Sequence, residues 1–312
     1  MTVLGVDLGG TKCLGVALQD GEVVGEVRLP TPAGGDALLE VLSTVVDRLR
    51  GSSTPEAVGV GAPGLVDRDG VLHFAANLTL EGELDLRSAL AERLGVPVQV
   101  DNDATCAAWG ERAHGAARGF DDVVLVTLGT GIGGGIVVAG RVVRGANGFA
   151  GEMGHMVVDP QGPLCPCGQR GCWERFASGS GLGRLGREVA RRGGAPRLVE
   201  LAGGDPEQVR GEHVTLAVGE GDEAAVEVLV RFAWWLGLGL ANLANIFDPE
   251  AFVVGGGVVG AGDALFTPAR RAFAELLQGA DRRPPISVLP AALGERAGAI
   301  GAAYLAAEAA GG

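Results

Sequence analysis

Hydrophobic and polar positions change period several times along this chain, and each change marks an element. Residues 3–8, 13–18 and 22–29 are short apolar runs separated by polar or glycine-rich corners, the first corner being Gly9-Gly10-Thr11. They predict three consecutive strands, a β-meander. Leu38, Leu39, Leu42, Val45, Val46 and Leu49 then recur at helical spacing, which predicts a helix over 36–49. A short strand over 57–60 ends in Gly61-Ala62-Pro63-Gly64, and a helix over 84–94 and a strand over 96–100 follow. The next helix, over 102–114, takes Asn102 or Asp101 as its N-cap.

A second round starts at Val123, with a strand over 123–128, a turn over 129–135 and a strand from Ile136. Strand, glycine turn, strand therefore occurs twice, a weak internal repeat that points to a duplicated α/β fold. Residues 180–218 read as helix and loop without recognisable chemistry. A long helix over 222–247, a strand over 251–254, a third glycine turn at 255–257 and a small-residue helix over 296–308 complete the pattern. The apolar run 232–241 is too short for a membrane span and reads as a buried helix.

The length of 312 residues suits two lobes better than one core. A net charge of −13 offers no basic face for phosphate backbones, which argues against nucleic acid as a partner. Met1 leads straight into an apolar strand with no secretory pattern, so the expected compartment is the cytoplasm and no membrane partner is implied. Cys13 and Cys106 stand alone in apolar surroundings, as small core residues do. Lys12 is the only lysine in the chain, and it directly follows the first glycine corner.

Residues 151–174, GEMGHMVVDPQGPLCPCGQRGCWE, hold three of the five cysteines, one of the four histidines and two glutamates. Cys165, Cys167 and Cys172, with His155, match the ligand set of a closed tetrahedral zinc site. Surface thiols or a C-x-C redox pair are the competing readings. Three thiolates leave a zinc site negative and closed to water, so the metal's role would be to order the loop. Glu152 and Glu174 flank the cluster; they are either ordinary exposed carboxylates or acceptors held by the ordered loop.

Gly129, Gly131 and Gly134 formally fit G-x-G-x-x-G, but a dinucleotide fingerprint must open a helix, whereas Ile136–Ala139 reads as strand. No P-loop motif is present. The two strand corners, DLGGTK at 7–12 and LGTGIGGG at 128–135, are either plain hairpins or backbone cradles for phosphate. Taken with the third glycine turn they favour a nucleotide held by Asp7, Gly9, Gly10, Thr11, Lys12, Thr130, Gly131, Gly133, Gly256 and Gly257. Asp7 would hold Mg²⁺, directly or through water.

With these motifs in hand, the sequence resembles the ROK family of sugar kinases and sugar-responsive repressors, in the actin and hexokinase superfamily. The resemblance rests on DLGGTK, APG at 62–64, DNDA at 101–104, LGTGIGGG, AGEMGH at 150–155, CPCGQRGCWE at 165–174 and ANLANIFDPEAFVVGGGV at 241–258. Among family members the motifs look most like those of bacterial ATP-dependent glucokinases. The resemblance implies a two-lobed α/β, ribonuclease-H-like fold with the active site in the cleft. The smaller lobe would span 1–115 and be completed by the helix 296–312; the larger would span 116–295 and carry the zinc loop.

It further implies ATP, Mg²⁺ and a structural Zn²⁺, and phosphorylation of glucose at the 6-hydroxyl. Asp103 corresponds to the general base; spacing alone leaves Asp101 equally eligible. Gly64, Asn77, Asn102, Glu152, His155 and Glu174 correspond to sugar contacts, with His155 also binding the metal, and a homodimer or homotetramer is implied. N-acetylmannosamine, mannose, fructose and allose are alternative acceptors, and polyphosphate is a less favoured donor. A sugar-sensing regulator is the non-enzyme alternative, although Met1 lies too close to Asp7 to leave room for a DNA-binding domain. A zinc hydrolase is more remote.

Overall fold

Strands β1 (Thr2–Leu8), β2 (Lys12–Gln19) and β3 (Glu22–Pro30) form the predicted meander, with β1 and β2 antiparallel from Thr2↔Gln19 to Leu8↔Cys13. The computed structural model describes residues 2–311. After helix α1 (Gly35–Arg50), strand β4 (Val58–Ala62) pairs parallel with β1. Three short strands, β5 (Leu65–Val66), β6 (Val71–Phe74) and β7 (Leu84–Asp85), make a small sheet of their own. The apolar pattern shows none of them, because strands this short display no period. Helix α2 (Leu86–Leu94) consequently starts later than predicted: Leu84 and Asp85 belong to β7, and the Asp85 carboxylate caps the helix by accepting from Ser88 N.

Strand β8 (Val98–Asn102) pairs parallel with β4 and runs into helix α3 (Asp103–His114). Strands β9 (Val123–Leu128), β10 (Ile132–Val138) and β11 (Arg141–Val142) follow. The second glycine turn is shorter than predicted, since Gly133, Gly134 and Gly135 are residues of β10. The small size of Gly135 serves packing: a side chain there would overlap Ala104 and Ala108 of α3. Then come α4 (Glu174–Ala177), α5 (Gly179–Ala190), α6 (Pro196–Leu201), α7 (Gly211–Gly219), α8 (Glu223–Phe247), β12 (Ala251–Gly255), α9 (Asp263–Leu276), β13 (Ser287–Pro290) and α10 (Ala297–Gly311). Helix α9 and strand β13 were not anticipated from the pattern.

The strand orders β3-β2-β1-β4-β8 and β11-β10-β9-β12-β13 repeat one scheme, the duplication that the sequence pattern implies. Two compact units result. The first comprises the chain up to Leu125, Gly135–Gly151 and the segment from Ala291; the second comprises Val126–Gly134 and Glu152–Pro290. The boundary thus falls within β9 and β10.

In the first unit α1 buries Leu38, Leu39, Leu42, Val45 and Val46 on one side of the meander sheet. Helix α10 covers Val3, Val16 and Leu18 on the other, through Ala299, Ile300 and Ala303. It lies so close that a Cβ built on Gly5 or Gly59 would sit 1.9 Å from the carbonyl oxygen of Ala299 or Ala302. Fully buried Glu111 of α3 pins the approach to α10 by accepting from the amides of Ala292 (3.1 Å) and Leu293 (2.8 Å).

The second unit is built around α8. By length and composition α8 could cross a membrane, but Phe232, Ala233, Leu236, Leu240 and Leu243 are buried and the helix packs against α4, α5, α7 and α9. Its Gly239 forms a slot for Trp173, a fully buried indole whose Nε1 donates to the Trp235 carbonyl at 2.8 Å. A Cβ on Gly239 would lie 1.9 Å from the Trp173 ring.

Gly239→Ala is therefore expected to destabilise the protein by about 1–3 kcal/mol through overpacking. Gly219→Ala, at a helical position with nothing within 4 Å of the new methyl, should cost nothing or add up to about 1 kcal/mol. Urea unfolding of the two variants measures the contrast, and equal effects would contradict the slot.

Candidate active site

The first unit places Asp7 at the end of β1, level with Gly61 of β4. Burial pushes the Asp7 carboxyl up from 3.8 to about 7; the neighbouring Asp103 adds to the rise and Lys12 opposes it. A carboxylate that is costly to ionise alone suits a cation, so the residues present fit the expected Mg²⁺. The corner beyond Asp7 is braced from β3's end: Thr31 Oγ1 donates to the Gly9 carbonyl at 2.7 Å, and Thr31 N donates to the Thr11 carbonyl at 3.0 Å. Gly10 abuts Asn77, where a Cβ would meet the Asn77 Cβ at 2.9 Å. Lys12 Nζ lies 2.7 Å from Glu295, half exposed, so the chain's only lysine is held in an ion pair.

Three consecutive residues at the β8–α3 junction have separate partners. Asp101 is buried and gripped by Arg144, whose Nε lies 3.0 Å from both carboxylate oxygens and whose Nη2 lies 2.7 Å from Oδ2. Asn102 caps α3: its Oδ1 accepts from Thr105 N at 3.0 Å and its Nδ2 donates to the Gly64 carbonyl at 3.1 Å. Asp103 is the first residue of the helix, partly exposed, with Oδ1 accepting from Ala104 N at 2.7 Å. The N-cap is thus Asn102, and Asp101 is committed to Arg144. Gly64 stands at φ 86°, with the Phe74 carbonyl where a side chain would go.

In the second unit the loop 152–173 is fastened by Trp173 and by isolated bridges Val157↔Cys172 and Leu164↔Arg170. The ligand atoms of His155, Cys165, Cys167 and Cys172 lie within 4.8 Å of one another. Tetrahedral Zn–S bonds of about 2.3 Å require S···S edges of about 3.8 Å. Cys167 and Cys172 are 3.6 Å apart, and Cys165 Sγ is 3.8 Å from His155 Nδ1, so the set fits that metal. His155 turns Nδ1 toward the sulfurs and Nε2 toward Glu152, 3.8 Å away. Burial raises the Glu152 carboxyl above its ordinary range, with His155 opposing and Glu174 adding to the rise.

Glu174 links this loop to the second glycine turn. Its Oε1 accepts from the Cys165 thiol at 3.0 Å, and its Oε2 lies where a side chain on Gly131 would be, 2.5 Å from the built Cβ. The turn itself is short: Gly129 N donates to the Gly131 carbonyl, and Gly133 N, already in the strand, donates to Thr127 Oγ1.

Thr130 and Gly129 line a cavity of about 420 Å³, together with Gly257 of the third glycine turn. Gly256, at φ 92°, holds the two turns together, since a Cβ there would lie 2.4 Å from the Leu128 carbonyl. The far wall comes from Ser180 and Arg187 of α5 and from Arg210, Glu212 and Thr215 at α7. These belong to the stretch 180–218, in which the pattern showed no chemistry. The available signal was its glycines: Gly183 and Gly211 let α5 and α7 approach closely enough to wall the cavity. The N-terminus of α5 abuts the second turn, Gly179 N donating to the Gly129 carbonyl at 2.8 Å, so the positive end of the helix dipole lies beside the cavity.

The ROK family pattern matches residues 3–309 of the chain. A glucokinase of Streptomyces coelicolor is 40% identical over 309 residues, covering 98% of this chain and 97% of that protein. A glucokinase of Thermotoga maritima is 36% identical over 317 residues, covering 100% and 99%. The crystal structure of a ROK family glucokinase from Streptomyces griseus, in complex with glucose and AMPPNP, superimposes with a TM-score of 0.87 at 40% identity, covering 99% of this chain and 100% of that one.

The Asp7 carboxyl gives a pH signature. Between pH 3.8 and about 7 the unfolded chain releases a proton that the folded, ligand-free chain keeps. The resulting loss of stability is absent below that window and complete above it. Asp7→Asn should therefore raise the melting temperature of the magnesium-free protein at pH 8, with the gain vanishing toward pH 4. A gain independent of pH would contradict the shift.

Proposed function

The chain belongs to the ROK family, and from that membership we propose that it transfers the γ-phosphoryl group of ATP to the 6-hydroxyl of glucose. It is a sugar kinase with the two-lobed actin/hexokinase-like fold. The observation that carries the glucose and ATP reading is the Streptomyces griseus relative, bound to glucose and AMPPNP, whose fold this chain shares along nearly its whole length.

Asp103 is the general base, accepting the proton of the 6-hydroxyl. Two facts support it over Asp101: the Ala104 amide fixes its orientation, and Asp101 is spent on Arg144. A loose phosphoryl-transfer transition state asks mainly for positioning and charge neutralisation. The backbone of Gly9, Gly10 and Thr11 and of Thr130 and Gly131 cradles the phosphates, while the 420 Å³ cavity takes the rest of the nucleotide, with Gly257 on its wall. Lys12, drawn from Glu295, adds a positive charge. Asp7 would hold Mg²⁺, directly or through water, and the ion would supply neutralisation of the phosphate oxygens.

Asn77 and the Gly64 backbone, which Asn102 steadies, contribute to sugar binding, as do Glu152, His155 and Glu174. His155, Cys165, Cys167 and Cys172 would hold zinc, which would supply a rigid support for that loop. Cys165 would hold the metal as a thiolate, which would leave Glu174 Oε1 free of the thiol hydrogen bond it accepts here.

A positioned base contributes about 10²- to 10⁴-fold, or roughly 3–5 kcal/mol. Asp103→Asn should accordingly lower kcat with ATP and glucose by about two orders of magnitude or more, while calorimetry shows glucose binding largely kept. An unchanged kcat removes Asp103 from the role. A coupled assay across glucose, mannose, N-acetylmannosamine, fructose and allose, with ATP and polyphosphate as donors, tests the substrate pair; a preference for another sugar or donor would overturn it.

A further inference from the structure

The first unit contains a separate cavity of about 610 Å³ that neither Asp103, Asn77 nor the glycine turns line. Its wall carries Arg68, Arg87, Arg141 and Arg144 against one carboxylate, Glu308. In a chain with 38 acidic and 25 basic side chains, that local excess of guanidinium runs against the composition. Among the described residues, Arg144 is the one of these four in an ion pair with a carboxylate, Asp101. Arg68 Nε donates to the Gly145 carbonyl at 2.9 Å and Arg87 Nη2 to the Arg68 carbonyl at 2.8 Å, so their charges are not neutralised by those bonds. Arg141 stands exposed at the rim.

Donors without partners lie at the same place. Among the described residues, buried Arg87 Nε and Arg112 Nε have no hydrogen-bond partner. Arg87 lines this cavity, and Arg112 belongs to a guanidinium stacked 5.0 Å over the ring of Trp109, which also lines it. Trp109 is 5% exposed, an indole N–H can only donate, and the acceptor it faces is the Glu308 carboxylate. A buried donor such as Arg87 Nε ordinarily has a partner, and leaving it bare is costly. Glu308 lies on the exposed last turns of α10, near Arg112 and Arg144 as well. It is the one acid a ligand would meet.

We propose that this cavity binds a phosphate dianion, either free or carried as a phosphomonoester on a small metabolite. Guanidinium groups match phosphate oxygens in pairs, Trp109 on the same wall reports on occupancy, and the volume accommodates a sugar phosphate. The assignment stands apart from the reading of the glycine turns and does not rest on it.

The test is a titration of the full-length protein with inorganic phosphate and, separately, glucose 6-phosphate, at constant ionic strength and with excess glucose and AMPPNP present. The indole N–H resonances of the four tryptophans are followed by NMR, Trp109→Phe identifying the relevant one, and affinities are taken by calorimetry. A saturable shift of the Trp109 signal is expected with at least one probe, the tighter of the two identifying the source.

Arg87→Gln and Arg141→Gln should each weaken binding about tenfold, the value of a charge-assisted hydrogen bond. Glu308→Gln should tighten it several-fold by removing the competing acid. Arg141 and Glu308 are exposed, so calorimetry on their variants decides the matter even if Trp109→Phe or Arg87→Gln fails to fold. Absence of a Trp109 shift into the tens of millimolar, or affinities that these substitutions leave unchanged, overturns the proposal.

Discussion

Trp173 sits between a metal-ligand candidate, Cys172, and a carboxylate, Glu174, and neither neighbour could hold its place if the indole were loose. The ring is fully buried in a slot that only a glycine at position 239 leaves open, and its one polar atom is satisfied by the Trp235 carbonyl. Apolar burial and a completed hydrogen bond together make the anchor stiff, because moving the ring would open a cavity and strand a buried donor. The loop 152–173 has almost no regular structure, so this plug and the Cys/His cluster carry its order between them. Through Glu174 the order reaches the second glycine turn at Gly131. Gly256 extends it to the third turn.

Neighbouring acids of similar chemistry are sorted by their partners. Asp101 and Asp103 are two residues apart, yet one is buried against a guanidinium and the other is left at a helix start with one oxygen oriented by an amide. Asn102 between them supplies the cap, so Asp103 is not consumed in that duty. Asp7, buried without a compensating cation in direct contact, is shifted the other way from a salt-bridged acid. Environment, more than residue type, sets these carboxylates apart.

Most long elements were legible because their apolar periods are clean, as in α1 and α8, and the glycine turns were visible as breaks in strands. The short strands β5 to β7 were not, since two to four residues carry no period, and Gly133 to Gly135 misled because a glycine run reads as a turn, whereas all three lie in β10 and Gly135 is needed for contact with α3. The Cys/His cluster could be read directly: its spacing implied a common centre, and the ligand atoms do converge. The α5–α7 wall of the 420 Å³ cavity escaped notice because Ser180, Arg187 and Glu212 acquire a common purpose only when two helices meet at glycines. Spacing could not choose between Asp101 and Asp103 either, because the partner that separates them, Arg144, lies 43 residues further along the chain.

In the proposed function a metal orders the loop that carries Glu152 and His155 and leads into Glu174, and sugar binding depends on this order. Titration calorimetry of glucose and of AMPPNP into zinc-loaded protein and into protein verified as zinc-free tests it directly. Removal of zinc is predicted to weaken glucose binding at least about tenfold, as loss of support for first-contact residues does, while AMPPNP still binds. Undiminished glucose affinity in the zinc-free protein would contradict the claim.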